Sequence, residues 1–397
     1  MTDFAKTRSL FQLPQGLVYL DGNSLGALPK AAVARVNSMM RDEWGKMLIC
    51  GWNSAGWINQ PALVGDRIGK LIGAPGGTVV VGDKLSIKVY QALASALEIN
   101  AGRKVILSDT GNFPSDLYIT EGLIKSLDKG HRLKLCEPET VADSLTEDVA
   151  VLLLTEVDYK TGRLHDMVSL TRKAHEKGIL TIWDLAHSAG ALPVDVSAAD
   201  ADFAVGCTYK YLNSGPGGPA FMYLAPRLAN QARPALAGWL GHEQPFAFDP
   251  EYRPAEGVQR MRIGTPPIIQ LAALEASLDI WDMVEMKDVR RKSVELSDLF
   301  IRLVEAGCPE LKLASPRDSG QRGSQVSFQF EYGYAAMQAL IERGLTGDFR
   351  APDIMRFGFT PLYIDAGDVT KAASIIEEVM VNRLWDNAKY FAQSTVT

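Results

Sequence analysis

Short apolar runs alternating with helical periodicity fill the first two-thirds of this chain. Runs at 79–81, 104–108, 133–136, 149–154, 178–183, 202–206 and 219–224 read as strands. VAVLLL at 149–154 is apolar at every position, as a strand buried on both faces of a parallel sheet should be. Helices are predicted at 29–48, 62–71, 86–97, 268–283 and 286–306, with Pro29 suited to a first turn. The stretch 226–267 has no regular period, and so long an irregular segment in a compact domain is usually functional. Beyond it the pattern changes. SQVSFQF at 324–330 alternates with period two, which predicts a strand with one face open to solvent. A helix at 334–343, a strand at 354–358 and a terminal helix at 369–387 follow. The order predicts an α/β protein: a large domain with a mainly parallel sheet flanked by helices, and a smaller C-terminal α+β domain. The expected division is an N-terminal segment at 1–50 packing with the small domain, a large domain at 51–283, and the small domain at 284–397.

Composition narrows the possibilities. The 397 residues suffice for a large core. A net charge of −6 without any basic run argues against a nucleic-acid surface. No apolar run approaches the roughly 18 residues of a membrane span. Cys50, Cys136, Cys207 and Cys308 are scattered, without a CxxC pair, so neither a zinc pattern nor a disulfide framework is present. That usage fits the reducing cytoplasm. The N-terminus, MTDFAKTRSLFQLPQG, lacks the apolar core of a signal peptide, which agrees.

Candidate chemistry concentrates between 182 and 218. One strand delivers Asp184 at its C-terminal end, and the next delivers Lys210 just past its own. Ligands of open α/β sheets sit beyond the carboxyl ends of strands. An acid and a lysine there suit pyridoxal 5'-phosphate. The lysine forms a Schiff base with the aldehyde, and the acid keeps the pyridine nitrogen protonated so that the ring accepts electrons. A lone pair of this kind is more often a turn-capping aspartate and a surface lysine. Here Tyr209, Asn213 and a Gly-Pro-Gly-Gly run surround the lysine, and glycines admit backbone close to a bulky ligand. His187 stands three residues past the acid, where a ring can stack or hydrogen-bond. Ser86, between strand and helix, is a phosphate seat at the positive helix end or a plain N-cap. Phe113 is placed to stack on a planar ring, and Asp116 is a ligand group or an N-cap. Trp52 and Trp57 are packing aromatics or a wall for an aromatic substrate. Arg356 lies in an apolar strand, where an unpaired charge is costly. Its planar fork meets either a buried carboxylate of the protein or a carboxylate of the ligand. His165 and Asp166 read as structural, and His131 and His175 as surface residues.

Several blocks together carry a resemblance: YLDGNSLG (19–26), WNSAGW (52–57), NFPSDLY (112–118), IWDLAHSAG (182–190), CTYKYLNSGPG (207–217) and MRFGFTPLY (355–363). Over nearly its whole length the chain resembles the kynureninase family, which are fold-type-I pyridoxal phosphate enzymes of the aspartate aminotransferase superfamily. The Asp…Lys pair alone would name only the superfamily. The resemblance implies a PLP-dependent transferase-like fold and hydrolysis of L-kynurenine to anthranilate and L-alanine, by a homodimer with sites at the subunit interface. It implies that Lys210 is the Schiff-base lysine, that Asp184 pairs with the pyridine nitrogen, and that Phe113 stacks on the ring. Asp116 and His187 would line the cofactor, and Leu85 and Ser86 match the phosphate-loop positions. Tyr209 and Trp239 would reach the phosphate region, with Trp239 and Thr265 supplied by the partner subunit. Arg356 would hold the substrate α-carboxylate, Trp52 and Ser24 would lie around the aromatic amine and ketone, and Tyr209 would serve the ketone's proton transfers. Some members have Asn-Pro-Pro where this chain has Thr265-Pro266-Pro267. A hydroxyl reaches less far and offers one donor instead of two, which leaves open the choice between kynurenine and its 3-hydroxy analogue. Two rival readings are an aminotransferase or cysteine desulfurase of the same superfamily, with Cys308 the nearest catalytic-thiol candidate, and a non-catalytic cofactor-binding protein.

Overall fold

The computed structural model describes residues 1–392. Its centre is a seven-stranded sheet built from β1 (Val79–Val81), β2 (Val105–Asp109), β3 (Arg132–Cys136), β4 (Val149–Thr155), β5 (Leu180–Asp184), β6 (Phe203–Cys207) and β7 (Ala220–Leu224). The order is β1-β7-β6-β5-β4-β2-β3. β7 is antiparallel to both neighbours and the other pairs are parallel. Every residue of β4, β6 and β7 is buried, because helices cover both faces and apolar side chains fill both. The register sets Thr155 beside Asp184 and Asp184 beside Val205. Asp184 therefore ends its strand in the middle of the sheet, walled by neighbours on either side.

Two helices run from the same edge of the sheet: α3 (Leu85–Ile99) after β1 and α4 (Pro114–Leu127) after β2. Most of α3 is buried, including residues 91–97 without a break, since it crosses the central strands with helix α4 beside it. Helices α1 (Lys30–Ser38), α2 (Gln60–Leu71), α5 (Met167–His175), α6 (Ile268–Trp281) and α7 (Met286–Gly307) complete the layers. A second sheet holds β8 (Lys312–Leu313), β9 (Gln325–Gln329), β10 (Asp348–Arg350) and β11 (Ile354–Gly358), antiparallel in the order β8-β9-β11-β10. Helix α8 (Gly333–Glu342) packs on it, α9 (Ala366–Val381) lies against α7 and α8, and Phe300 of α7 sits among Phe328, Phe357 and Phe359. The N-terminal segment threads into this sheet's surroundings: Val18–Tyr19 pairs with Leu345–Thr346, and the Gly358 N–H donates to Leu20 O at 2.7 Å. Among the described residues no helix is long and apolar enough to cross a membrane.

The structure departs from the sequence expectation at several points. The expected helix at 29–48 stops at Ser38 and continues as a π turn over Met39–Trp44, a wider winding that hydrophobic periodicity does not distinguish from an α-helix. The expected loop at 51–57 begins with a helical turn, Gly51–Ser54. The last helix ends at Val381, short of 387, and residues 393–397 of the segment at 284–397 lie outside the described residues. The polar face of β9 is open only at its end, Gln329. Gln325 and Ser327 are buried because Gln325 Nε2 donates to the carbonyls of Tyr159 and Lys160, at 3.1 Å each, and Ser327 Oγ donates to Lys160 O at 2.6 Å. His131, expected at the surface, is buried just ahead of β3.

Candidate active site

The floor of the site is set by β5 and β6. Asp184 ends β5 with its carboxylate turned back onto its own turn, where Oδ1 accepts the Ala186 N–H at 2.8 Å. Past β6 the chain closes a tight loop: Thr208 Oγ1 donates to Pro219 O at 2.6 Å and lies 2.7 Å from Ser214 Oγ. Asn213 takes a left-handed conformation (φ +55°) that Asn tolerates. This loop lifts Lys210 over the floor, where Nζ donates to His187 Nε2 at 2.9 Å. The YLDGNSLG turn lies against the same loop, with the Gly26 N–H donating to Tyr209 O at 2.8 Å. A Cβ on Gly26 would collide with the Lys210 carbonyl and the Asn213 side chain, so the turn requires glycine.

The walls are two helix N-termini. Ser86 of α3 and Ser115 of α4 meet with their hydroxyls 3.1 Å apart. Neither Ser86 nor Asp116 is an N-cap, contrary to the plainer reading: Lys84 caps α3 and Phe113 caps α4, both without a side-chain bond. Ile87 and Asp116 donate to the cap carbonyls of Lys84 and Phe113 and Pro114 has no N–H, so it is the N–H groups of Leu85, Ser86 and Ser115 that are left to meet an anion. Lys84 Nζ ties the turn to Gly217 O at 2.5 Å. Phe113 is 38% exposed, its ring 5.8 Å from Lys210 Nζ and edge-on to Tyr159 with centroids 5.1 Å apart.

Burial dominates the electrostatics. It lifts Asp184 to about 6, with Lys210 and the Ala186 N–H holding it down. Asp116, equally buried, is pushed well above the carboxylate range by burial and by the charge of Asp184. At neutral pH Asp184 therefore carries the charge and Asp116 the proton. Burial, then Lys210, Arg356 and Arg350, hold His187 well below its ordinary value, which leaves a neutral ring to accept from Lys210. The Tyr209 phenol is raised by Cys207 and by burial, so it stays protonated.

At the far end Arg356 is met by a protein carboxylate. Its Nε donates to Asp348 Oδ1 at 2.6 Å, its Nη2 pairs with Asp348 Oδ2, and its Nη1 donates to Tyr159 O at 2.5 Å. Of the two partners the sequence allowed, the structure supplies the internal one. Ser24 stands on this ion pair, donating to Asp348 Oδ2 and accepting from Arg356 Nη2 at 3.0 Å, so it sits at the arginine end of the site. Trp57 packs inward, its Nε1 donating to Glu43 Oε2 at 2.7 Å, and Trp52 leans edge-on against it. Trp239 and Thr265 are exposed, with Trp239 edge-on to Phe246. Among the described residues no hydrogen bond or ring contact joins Trp52, Trp239 or Thr265 to Lys210 Nζ, which meets His187, Phe113 and Tyr209. Leu85 opens α3, one residue ahead of the expected start at 86. Sequence reasoning missed Ser115, Tyr159, Asp348 and Arg350. A signal was available for the last two, an acid and an arginine spaced by two just ahead of the Arg356 strand.

The residues fit pyridoxal 5'-phosphate. Asp116 Oδ2 and His187 Nδ1 are buried without a hydrogen-bond partner beside a lysine, an exposed aromatic face and two helix N-termini. Cys308 does not fit a desulfurase role: it is buried just past α7, and burial pushes its thiol up to about 12.

Comparison with known proteins adds the following. Residues 289–376 match the family model of the kynureninase C-terminal domain. The chain is 49% identical over 400 residues to the kynureninase of Pseudomonas fluorescens, covering 99% of this chain and 96% of that protein. It is 46% identical, with the same coverage, to the kynureninase of Burkholderia pseudomallei strain 1106a. Among solved structures, a cysteine desulfurase from Thermococcus onnurineus NA1 superposes with a TM-score of 0.80 at 18% identity, covering 95% of this chain and 98% of that one. A cysteine desulfurase from Escherichia coli gives 0.81 at 19%, covering 96% and 99%. At such identities these two structures speak for the fold alone.

Proposed function

We infer the role of each residue from one premise: the chain belongs to the kynureninase family. It is a hydrolase that cleaves the Cβ–Cγ bond of L-kynurenine, giving anthranilate and L-alanine. The observation that carries the residue assignment is the convergence of Asp184 and Lys210 at the ends of adjacent strands, with Lys210 Nζ bonded to the neutral His187.

When bound, pyridoxal 5'-phosphate supplies an aldehyde and an electron-accepting ring. Lys210 Nζ would hold that aldehyde and, when free, would be the positioned base for the Cα proton. Asp184, kept ionised by Lys210 and the Ala186 N–H, holds the proton on the pyridine nitrogen. Asp116 carries its own proton and adds no second charge beside it. Phe113, its ring 5.8 Å from Lys210 Nζ, would cover one face of the ring, and His187, 2.9 Å from the same nitrogen, would line the cofactor. The first-turn N–H groups at Leu85 and Ser86, with the Ser115 hydroxyl, receive the phosphate. Tyr209, protonated at neutral pH, donates to the ketone oxygen as water adds and recovers the proton as the bond breaks. Arg356 faces the substrate carboxylate.

The working unit is a homodimer in which Trp239 and Thr265 reach the partner's site. The large apolar groups left exposed, among them Leu48, Ile49, Trp239, Phe246 and Phe248, support this. Thr265 also bears on the preference between kynurenine and 3-hydroxykynurenine. Its setting is the cytoplasm, in keeping with four unpaired cysteines.

Incubation of cofactor-loaded protein with L-kynurenine, with 3-hydroxykynurenine, and with 2-oxoglutarate as an added amino acceptor tests the reading. Anthranilate fluorescence from the first is expected. Amino transfer to 2-oxoglutarate without anthranilate would favour an aminotransferase.

A further inference from the structure

We propose that Arg350 is a second anchor for the substrate carboxylate, working beside Arg356 across the carboxylate of Asp348 that both share. This rests on the kynurenine-hydrolase reading and extends it to a residue that the family motifs do not single out.

The strand register puts the three side chains together. Asp348 lies directly opposite Arg356 across the β10–β11 ladder, and Arg350 is two residues further along β10. Residues at i and i+2 of a strand share a face, and directly opposed residues share it too. On the other side of β11, Ser327 lies opposite Arg356. That common face looks onto the site's wall: Arg356 Nη1 donates to Tyr159 O, Ser327 Oγ to Lys160 O, and the Tyr159 ring packs on Phe113.

A count of donors shows why Arg356 does not serve alone. A guanidinium has five N–H donors. Arg356 gives Nε to Asp348 Oδ1, one Nη2 donor to Asp348 Oδ2, the other to Ser24 Oγ, and one Nη1 donor to Tyr159 O. One N–H on Nη1 is left. The planar fork that would grip a ligand carboxylate is already filled by Asp348, and a single N–H leaves one ligand oxygen without a donor. Arg350 has the complementary state. Its Nη1 donates to Phe349 O at 2.8 Å and its Nη2 lies 2.9 Å from Asp348 Oδ2, which leaves its Nε and one donor on each terminal nitrogen. The Arg356 and Asp348 side chains are 2% and 3% exposed, whereas Arg350 is 33% exposed, so its free donors can be approached.

Charge points the same way. Two arginines share one carboxylate, leaving one positive charge that a substrate carboxylate cancels. Asp21, the next acid along, is pushed up to about 7 by burial and by Asp348, so at neutral pH it is substantially protonated and does not cancel the surplus. Tyr159, which accepts from Arg356 and packs on Phe113, ties this face to the cofactor-lining end of the site.

The test compares wild type, Arg350→Gln and Arg350→Lys, each loaded with pyridoxal 5'-phosphate. It measures KM and kcat for L-kynurenine, and competitive inhibition by L-kynurenine α-carboxamide, which lacks the charge. Loss of a charge-assisted hydrogen bond predicts a KM raised about tenfold or more in Arg350→Gln, with kcat within about threefold. Inhibition by the carboxamide should be unchanged, so the preference for the acid falls by the same factor as KM rises. Arg350→Lys should keep part of that preference. A uniform weakening of acid and carboxamide, or an unaltered preference in the folded Arg350→Gln protein, would make Arg350 a brace for Asp348 and overturn the proposal. A wild type that yields no anthranilate overturns the kynurenine reading itself, whereas an active wild type with an unaltered Arg350→Gln overturns only this anchor.

Discussion

Replacing Asp348 with Asn removes what is, among the described residues, the only carboxylate that grips the buried Arg356. In the native site Oδ1 takes the Nε donor at 2.6 Å, while Oδ2 takes Nη2 and lies 2.9 Å from Arg350 Nη2. Asn keeps one acceptor and turns amide N–H groups toward guanidinium N–H groups, so the two arginines face each other without an anion between them. Breaking a buried ion pair by removing one partner costs about 3–5 kcal/mol. Two features set the value at the lower end. The Tyr159 carbonyl and Ser24 hydroxyl still hold Arg356, and water reaches Arg350 to screen its share. The expected loss is about 3 kcal/mol, roughly a hundredfold in the folding equilibrium. Equilibrium urea unfolding of the cofactor-free protein, followed by tryptophan fluorescence and far-UV circular dichroism, measures it. KM for L-kynurenine should rise in the same variant, because Arg356 is no longer held in place. A loss below about 1 kcal/mol together with an unchanged KM would refute the reasoning, since neither burial nor the shared oxygen would then matter.

Three other outcomes are expected. Asp184→Asn should fold, as judged by circular dichroism, yet lose orders of magnitude in kcat, because a neutral amide does not hold the ring's proton; near-normal turnover would remove that role. Gly26→Ala should lower both cofactor retention and kcat, since the new methyl meets the backbone of Lys210 and cannot be relieved by a rotamer change; overpacking of this kind costs about 1–3 kcal/mol, and an enzyme with normal retention would show that the turn is free to shift. KM for L-kynurenine should climb as pH passes about 7, because Asp21 is neutral below that point and above it adds a negative charge beside Asp348, Arg350 and Arg356, while its neighbour Tyr19 stays protonated. Asp21→Asn should flatten that rise, and a profile of KM identical in the two proteins would exclude Asp21 as its source.

The seven-stranded sheet was legible because most of its strands are buried on both faces and read as apolar runs with helical periodicity between, the edge strand β3 being the exposed exception. Asp184 and Lys210 were legible for a related reason: they stand where such runs end. The Arg356 end was not. Its partner Asp348 lies on a three-residue strand, too short to show a period, and only register reveals that the two side chains are opposed. The alternation of β9 misled because its polar positions face a wall of backbone carbonyls at Tyr159 and Lys160 instead of water. Period two marks two unlike faces without saying what lies against the polar one. Ser86 and Asp116 looked like possible caps because a cap and a ligand group occupy the same first turn, and only the observed cap positions separate them.

The assignment of Lys210 as the cofactor's attachment point is tested most directly by borohydride reduction of the pyridoxal 5'-phosphate-loaded protein, then proteolysis and mass spectrometry of the labelled peptide. The label is expected on Lys210 alone, and absent from that peptide in Lys210→Ala. A label carried by Lys84 or Lys88 of the neighbouring turn and helix, or no stable label at all, would contradict it.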